Sequence, residues 1–441
     1  MIEKYLVKKI TEPVDWKVTV PGSKSMTNRA LLMAVLSAGT VRVEGVLFSD
    51  DSRHFLACLV ALGFTVEIEE EKKCVTVTGC GGRIPRGEAV IDVGSAGTAA
   101  RFLAAMLGFS DGCYEIRCSA QMKRRPMAEL FDLLSGAGAK ITFLEEEGHL
   151  PVRITGCRYA RADKTAGETP RELSLDITKS TQFLSALLLI APMVPEGMKI
   201  HITSEKTDGS YIRITRRMMQ EFGVSVAFDG RDYEVPCRSS YRKETYMVEP
   251  DMSAACYFYA AAAVTGGRTL VRHVHMDNTQ GDLRFLEVLE HMGCTADDTP
   301  EGILVTGPAD GALRGITVNM NDFSDQALTL AAIAPFADAP VRIEGIGHIR
   351  GQECDRIHAI QTNLTALGIR CEEEETAATI YPGSPHGGSV ETYDDHRVAM
   401  AFSLVGLRTD GIVIENPACC RKTFENYFTV LSELTGKTVE S

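Results

Sequence analysis

Residues 25–38 read SMTNRALLMAVLSA, a polar start followed by a run of small and apolar side chains with no charge after Arg29. A helix that is apolar nearly all round is predicted to be buried. Five further stretches have the same character. The six stretches begin at Ser25, Gly97, Thr181, Ser253, Asp325 and His396, and successive starts are 72, 84, 72, 72 and 71 residues apart. This recurrence predicts six copies of one structural unit.

A second segment recurs in phase with the first. It is an amphipathic helix that ends at a glycine, as in LVALGFTVEI (59–68), where a left-handed helix cap is expected before a strand. The glycines are Gly63, Gly138, Gly223, Gly293, Gly368 and, in a weaker copy, Gly436. An α/β protein without repeats also has Ala-rich helices, but two signals in phase over six periods favour the repeat. The sequence therefore predicts an α/β fold with two domains of three units each.

Composition and charge exclude several classes of protein. The 441 residues are 44% hydrophobic and 24% charged, which is typical of a globular chain. No apolar run is long enough for a membrane helix, and MIEKYLVKKITEP at the N-terminus lacks the apolar region of a signal peptide. Thirteen cysteines without a CxxC pair suggest neither zinc sites nor disulfides, and a net charge of −13 disfavours nucleic acid. We expect a cytoplasmic protein with reduced thiols, no metal and no membrane or nucleic-acid partner.

The starts of the buried helices are expected to carry the chemistry. Each start offers backbone N–H groups without an intrahelical partner and the positive end of the helix dipole, which together attract anions. Basic residues lie at or near several of these starts: Lys24, Arg29, Arg101, Arg350, Arg356 and Arg397. The predicted ligands are therefore polyanionic, either carboxylates or phosphates.

The sharpest local motif is VPGSKSMTNRA at 20–30. Ser23 or Ser25 is predicted to cap the helix that carries Arg29, which places Lys24 at the helix N-terminus. The dipole disfavours a positive charge there, so we expect Lys24 to serve an anion or a proton transfer. The glycine spacing does not match that of a phosphate-binding P-loop.

Three acidic motifs have competing interpretations. Asp325 heads an apolar helix and is either a functional group or a helix cap. In IRGQECDRI (349–357), Glu353 is either functional or the partner of Arg350 in an intrahelical ion pair. Residues 394–396, Asp-Asp-His, could suggest a metal site, but three adjacent residues at a helix start seldom share one ion.

Taken in order, the motifs resemble the enolpyruvyl transferase family, and most closely its members that act on shikimate 3-phosphate. The resemblance covers nearly the whole chain. Its most specific parts are PGSKS and DDHRVAM, and the full set is PGSKSMTNRAL (21–31), AGTAARFL (96–103), RRPM (124–127), STQFL (180–184), SDQALTLA (324–331), ECDRI (353–357), DDHRVAMAFSL (394–404) and CRKTFENYF (420–428).

The resemblance implies a two-domain α/β fold. Each domain would hold three βαβαββ-like repeats with buried helices, and the active site would lie in the interdomain cleft. Domain 1 would be discontinuous, with residues 1–19 joined by 247–441, and domain 2 would span 20–246. The implied protein is a monomer that needs no cofactor.

The implied activity is that of a transferase. The enolpyruvyl group of phosphoenolpyruvate would pass to the 5-hydroxyl of shikimate 3-phosphate by addition and elimination, with release of phosphate, in the pathway to chorismate and the aromatic amino acids. By resemblance, Lys24 and Glu353 would serve the enolpyruvyl side and Asp325 the 5-hydroxyl. Which of Lys24 and Glu353 handles carbon 3 stays open.

The same resemblance implies the residues that bind each substrate. For phosphoenolpyruvate they are Lys24, Gly97, Arg125, Arg356, Arg397 and Lys422. For shikimate 3-phosphate they are Ser25, Arg29, Ser180, Thr181, Gln182 and Asp325, with Tyr211 as a weaker candidate. Bidentate arginine suits the carboxylate and phosphate groups of such ligands.

Several positions depart from the family pattern and keep alternatives open. The family often has Asn at Ser95 and Pro at Phe102, and some members have Asn at His348 and a phosphate-binding Lys at Gln352. A family member acting on a different acceptor alcohol, or a non-catalytic relative that binds anions, therefore remains an alternative. A third alternative is the transferase that acts on UDP-N-acetylglucosamine, which uses a loop cysteine where this chain has Ala120.

Overall fold

A computed structural model of the chain describes residues 3–157, 170–309 and 312–436. The chain divides into two units. Unit 1 is Met1–Pro21 together with Pro250–Ser441, and unit 2 is Gly22–Glu249. Unit 1 is thus built from both ends of the chain, whereas unit 2 is one continuous segment.

Short strands and helices alternate along the described residues. The strands are β1 Lys4–Leu6, β2 Asp15–Val18, β3 Thr40–Glu44, β4 Thr65–Glu69, β5 Cys74–Thr78, β6 Glu88–Asp92, β7 Cys113–Arg117, β8 Lys140–Phe143, β9 Val152–Thr155, β10 Arg171–Leu175, β11 Met198–Ile202, β12 Ala227–Phe228, β13 Asp232–Val235, β14 Thr245–Met247, β15 Arg268–Arg272, β16 Thr295–Thr299, β17 Gly302–Thr306, β18 Thr317–Asn319, β19 Val341–Glu344, β20 Cys371–Glu373, β21 Ala378–Ile380, β22 Gly388–Val390 and β23 Ile412–Glu415. The helices are α1 Lys24–Leu36, α2 Asp50–Ala61, α3 Gly97–Gly108, α4 Ala120–Lys123, α5 Ala128–Gly136, α6 Gln182–Ile190, α7 Ser210–Glu221, α8 Met252–Thr265, α9 Phe285–His291, α10 Ala327–Ile333, α11 Arg356–Ala366, α12 His396–Arg408 and α13 Tyr427–Leu434.

The sheets of both units follow one pattern. The described residues of unit 2 form sheets with the orders β14-β3-β5-β4, β6-β7-β9-β8 and β10-β11-β13-β12. Those of unit 1 form β16-β17-β15-β2, β18-β19-β21-β20 and the three-stranded β1-β23-β22. Every sheet contains one parallel pair of strands, and its other pairs are antiparallel. The predicted α/β fold of repeated units is confirmed.

Buried helices connect the strands of four parallel pairs, because parallel neighbours need a crossover connection: α3 connects β6 to β7, α6 connects β10 to β11, α10 connects β18 to β19, and α12 connects β22 to β23. The buried helices α1 and α8 lead into β3 and β15, whose parallel partners are distant in sequence. The six buried helices are α1, α3, α6, α8, α10 and α12, and they carry the six stretches that the sequence singled out. Small residues let these helices approach each other closely; in α8, Ala260–Ala263 are at most 1% exposed. The starts of three such helices therefore lie in each unit.

Two strands exchange partners where the chain passes between the units. β2 comes directly before α1 in sequence but pairs in parallel with β15 of unit 1. β14 comes directly before α8 but pairs in parallel with β3 of unit 2. This exchange explains why unit 1 needs the N-terminal residues.

The six glycines that end the amphipathic helices have the left-handed backbone conformation that the sequence predicted. Gly63, Gly138, Gly223, Gly293, Gly368 and Gly436 all have positive φ, between 63° and 105°. The first five are followed within a few residues by a strand, whereas residues 437–441 lie outside the described part. Within the described ranges, none of the helices is long and apolar enough to cross a membrane.

We predict that Gly223→Ala lowers the free energy of unfolding by about 1 kcal/mol, because φ of 91° strains any residue with a Cβ. An added Cβ would meet no atom within 4 Å there, so the strain is a backbone effect alone. The matched control is Gly136→Ala, in the last turn of α5 of the same unit, where a Cβ again meets nothing and φ is not positive. Urea unfolding followed by circular dichroism should show the control to be at least as stable as the unmutated chain. Equal losses in both variants would contradict the prediction.

Candidate active site

A buried ion pair between Arg356 and Asp395 lies at the centre of the candidate residues of unit 1. Arg356 Nε donates to Asp395 Oδ2 at 2.8 Å, and its Nη2 donates to Oδ1 at 3.3 Å. Both side chains are at most 1% exposed. Asp395 also caps α12, because its Oδ1 accepts the backbone N–H of Arg397 at 2.8 Å. The pair therefore joins the start of α11 to the start of α12.

Asp325 lies between two guanidinium groups. Its Oδ1 accepts from Arg356 Nη1 at 3.1 Å and its Oδ2 accepts from Arg397 Nη2 at 2.7 Å. The residue lies in a 3₁₀ turn, Ser324–Gln326, and no side-chain capping bond is formed at that turn or at α10. The interpretation of Asp325 as a helix cap is therefore wrong. Its carboxylate is directed to the arginines and is 14% exposed.

Glu353 completes the group with Lys422. Its Oε2 accepts from Arg356 Nη2 at 2.9 Å, and its Oε1 lies 3.4 Å from Lys422 Nζ. We call the six side chains the unit 1 cluster: three carboxylates, Asp325, Glu353 and Asp395, and three cations, Arg356, Arg397 and Lys422. Burial by itself lowers the pKa of Arg356, but the three carboxylates outweigh burial and raise that pKa above its ordinary value.

Arg350 is not part of this cluster. Its Nη1 donates to Asp355 Oδ2 at 2.7 Å and to Glu373 Oε1 at 2.8 Å. The alternative in which Arg350 pairs with Glu353 within a helix is wrong, since Gly347–Gly351 is a 3₁₀ turn and α11 begins only at Arg356. Sequence spacing alone could not distinguish the two arginines as partners of Glu353.

In unit 2, Lys24 is the first residue of α1, at the helix start that the motif predicted. Its Nζ lies 3.4 Å from Asp51 Oδ2, and the Asp51 side chain is only 2% exposed. The carboxylate offsets the unfavourable position of a cation at a helix N-terminus. Ser23 occupies the N-cap position, but its side chain makes no capping bond, so the predicted cap is absent.

Arg29 is buried in a polar network within unit 2. Its Nε donates to Thr215 Oγ1 at 2.8 Å, and its Nη1 donates to the carbonyl of Ser25 at 2.9 Å. Its Nη2 lies 3.4 Å from both Ser185 Oγ and the Tyr211 carbonyl. Burial lowers the pKa of Arg29 to about 10, so the side chain is a cation at neutral pH.

Gly97, the first residue of α3, lies directly against two arginines. A Cβ added there would lie 2.4 Å from Arg125 Nη1 and 2.8 Å from Arg101 Nη1. Arg101 Nη1 donates to the Gly97 carbonyl at 3.0 Å. The glycine is thus required for the close approach of both guanidinium groups to the start of α3.

Residues 180–182, Ser-Thr-Gln, lie at the start of α6. Ser180 Oγ accepts the backbone N–H of Gln182 at 3.2 Å, and Thr181 precedes the helix. Gln182 Oε1 is buried and has no hydrogen-bond partner among the residues that the structure describes. A buried amide oxygen without a protein partner is rare, and a ligand hydroxyl would satisfy it.

Three of the four positions that depart from the family pattern, Gln352, His348 and Phe102, take part in internal contacts. Gln352 Oε1 accepts a hydrogen bond from Arg356 Nη1. His348 Nε2 lies 2.8 Å from Ser324 Oγ, beside Asp325. The ring of Phe102 lies 5.3 Å from the Arg29 guanidinium carbon.

The acidic residues of the DDH motif have partners other than a metal. Asp395 binds Arg356, and Asp394 Oδ1 accepts from Asn416 Nδ2 at 3.2 Å. Within the described residues, no three His, Cys, Asp or Glu side chains are grouped as metal ligands. Sequence reasoning missed Asp51 and Asp395 as partners, because an acidic residue at a helix start ordinarily indicates a cap.

A family model for EPSP synthase (3-phosphoshikimate 1-carboxyvinyltransferase) matches residues 8–431. The chain belongs to this family. A 3-phosphoshikimate 1-carboxyvinyltransferase from Trichormus variabilis is 41% identical over 429 residues, which cover 97% of this chain and 98% of the relative. One from Sulfurovum sp. is 39% identical over 96% of this chain and 97% of the relative. The resemblance inferred from the motifs is confirmed.

Solved structures agree with the fold. EPSP synthase from Acinetobacter baumannii is 26% identical, with a TM-score of 0.78 over 99% of this chain and 98% of that chain. The enolpyruvyl transferase NikO from Streptomyces tendae is 17% identical, with a TM-score of 0.72 over 98% of this chain and 97% of that chain. The second likeness concerns the fold alone.

We predict that Thr215→Val lowers the free energy of unfolding by about 1–3 kcal/mol, because it leaves the buried Arg29 Nε–H without its acceptor. The matched control is Thr269→Val. Thr269 is as fully buried as Thr215, but its hydroxyl has no hydrogen-bond partner within the described residues. Chemical unfolding should show that the free energy of unfolding of the control is unchanged or higher. Equal free energies of unfolding for the two variants would contradict a stabilising role of the hydrogen bond between Arg29 and Thr215.

Proposed function

We propose that this chain transfers the enolpyruvyl group of phosphoenolpyruvate to the 5-hydroxyl of shikimate 3-phosphate, which gives 5-enolpyruvylshikimate 3-phosphate and inorganic phosphate. Membership of the EPSP synthase family supports the reaction. The observation that carries the proposal is the position of Asp325 between Arg356 and Arg397. These guanidinium groups suit anionic substrates, and the carboxylate suits the removal of a hydroxyl proton.

The unit 1 cluster has no excess charge of either sign, so an anionic ligand must compete with its carboxylates. Asp395 is fully buried and caps α12, so it stays on Arg356. Asp325 and Glu353 are 14% and 9% exposed and are the carboxylates that a ligand can replace. Binding of phosphoenolpyruvate to Arg397, Arg356 and Lys422 would thus free two carboxylates for proton transfer.

The reaction moves protons in both of its steps. In the addition, the 5-hydroxyl oxygen loses its proton and bonds to carbon 2 of phosphoenolpyruvate as carbon 3 gains a proton. In the elimination, carbon 3 loses a proton as phosphate leaves carbon 2. We assign Asp325 to the hydroxyl proton. Lys24 and Glu353 both serve the enolpyruvyl side, and either can exchange the proton at carbon 3.

The residues of unit 2 support binding of both substrates. We assign Gly97 and Arg125, with Lys24, to phosphoenolpyruvate. Shikimate 3-phosphate is assigned to Ser25, Arg29, Ser180, Thr181 and Gln182, and its phosphate and hydroxyls match the hydroxyl and amide groups of that set. Because the nitrogens of Arg29 already have protein acceptors, its main contribution is a fixed positive charge.

Asp325 is assigned to shikimate 3-phosphate as well as to catalysis, because it would receive the proton of the 5-hydroxyl.

The cytoplasmic location and the monomeric state stay predictions from the sequence. Size-exclusion chromatography with light scattering measures the second of these directly.

The test of the reaction is phosphorus NMR of the purified chain with phosphoenolpyruvate and shikimate 3-phosphate. Inorganic phosphate and a new enolpyruvyl ether should appear together in equal amounts. Turnover only with another alcohol would favour a different acceptor. Binding of both ligands without turnover would favour the non-catalytic alternative.

We predict that Asp325→Asn lowers kcat by about 10²–10⁴-fold, because the amide cannot accept the hydroxyl proton. Phosphoenolpyruvate should bind at least as tightly, since a competitor for Arg397 and Arg356 loses its charge. The control is Asp322→Asn, three residues away and 3.8 Å from Arg284, which should keep kcat within about twofold. Steady-state kinetics and calorimetric titration measure both effects, and a fully active Asp325→Asn variant would exclude the assigned role.

A further inference from the structure

A second buried carboxylate, Asp282, lies behind Asp325 in unit 1. It is 5% exposed and belongs to the 3₁₀ turn Gly281–Arg284 that leads into α9. Its Oδ1 accepts from Gln326 Nε2 at 2.8 Å. No positively charged side chain is hydrogen-bonded to it in the described residues, in contrast to Asp325, which binds two arginines. A buried carboxylate with a neutral partner is costly and calls for an explanation.

Gln326 links Asp282 to the turn that carries Asp325. It follows Asp325 in sequence and is completely buried. Its amide nitrogen is held by Asp282, and its Oε1 accepts from Thr329 Oγ1 at 3.0 Å. Asp282 therefore fixes one side of the Ser324–Gln326 turn, and Thr329 fixes the other.

We propose that Asp282 is a positioning residue for the enolpyruvyl transfer: through Gln326 it holds the turn of Asp325, and its negative charge strengthens Asp325 as a proton acceptor. The inference rests on the proposed function, since it concerns the base of that reaction. Asp282 is not proposed to touch the reacting atoms, and it forms no hydrogen bond with the side chains of the unit 1 cluster within the described residues.

The reason for a second negative charge is the position of Asp325 itself. Cations near a carboxylate stabilise its ionised form and weaken it as a base, and Asp325 lies between Arg356 and Arg397 even when a ligand shares these arginines. A like charge nearby opposes ionisation, so it acts against the two arginines. The interaction is mutual, because burial and then the charge of Asp325 raise the pKa of Asp282 above its ordinary value.

The groups that face Asp282 come from several elements. From α8 and its N-cap come the Cys256 thiol, whose Sγ donates to the Asp282 carbonyl at 3.7 Å, and the Asp251 carboxylate. Arg397 of α12 lowers the pKa of Asp282 but does not reverse the rise. On α9, the charged residues Glu287, Glu290 and His291 are exposed and leave only apolar residues directed to the interior.

The test is the pH profile of kcat for Asp282→Asn, beside Thr329→Val. The amide that replaces the Asp282 carboxylate would keep the hydrogen bond to Gln326 but lose the charge, whereas Thr329→Val keeps the charge and loses the other bond to Gln326. We expect Asp282→Asn to move the acidic limb to lower pH by about half a unit or more and to lower the plateau kcat about threefold. KM for both substrates should stay within about twofold, because Asp282 is not assigned to a substrate. Thr329→Val should leave the limb where it is.

A stability measurement without substrates gives an independent readout. Because burial raises the pKa of Asp282 in the folded chain above its value in the unfolded chain, its ionised form lowers stability at neutral pH, and this cost disappears as pH falls below the ordinary range of an aspartate carboxyl. Asp282→Asn should therefore raise Tm at pH 7.5 relative to the unmutated chain, and the gain should shrink towards pH 4.5.

The outcomes separate the two claims. An acidic limb that does not move in Asp282→Asn, or one that moves equally in Thr329→Val, would overturn the role of the Asp282 charge while the proposed function stands. An unmutated chain that gives no turnover would overturn the proposed function and this role together. A shifted limb in Asp282→Asn alone, with Tm raised at pH 7.5, supports the inference.

Discussion

The candidate chemistry of unit 1 depends on the ion pair between Arg356 and Asp395. A completely buried arginine is tolerable only when its charge is compensated and its N–H groups are satisfied, and Asp395 does both while it also caps α12. With that pair in place, Nη1 of Arg356 donates to Asp325, and Nη2 donates to Glu353 as well as to Asp395. Asp395 is thus the structural carboxylate, and the two carboxylates that we propose for proton transfer, Asp325 and Glu353, are the more accessible ones.

The repeat explains why charges from distant parts of the sequence meet. Most of the buried helices begin 71 or 72 residues after the one before, and at two such starts in unit 1 residues separated by this interval are neighbours. Asp325 and Arg397, which begin or adjoin successive helices, are 2.7 Å apart although they are 72 residues apart in sequence. An Ala-rich helix supplies the packing, and residues at or beside its polar start are the ones that we propose for binding and catalysis.

Much of this arrangement could be predicted from sequence because it has a period. The buried helices, the glycine stops and the position of Lys24 follow from hydrophobicity and from the backbone needs of glycine. The pairing of charges could not be predicted, because it depends on side-chain direction in three dimensions. Arg350 and Arg356 look equivalent in sequence, yet one binds Asp355 at the surface and the other is buried. Asp51, Asp282 and Asp395 look like ordinary acidic residues of helix starts and turns.

The exchange of β2 and β14 has a consequence for the order in which the protein is made. β2 leaves the ribosome before any of unit 2, but its partner β15 follows only after the whole of unit 2. At common elongation rates of about 5–20 residues per second, the delay is roughly 10–50 s. Unit 2 has all of its strands before β15 emerges and can complete its sheets first. During synthesis, the N-terminal segment must therefore stay unpaired while an entire unit folds behind it, so early exposure of this short strand is built into the topology.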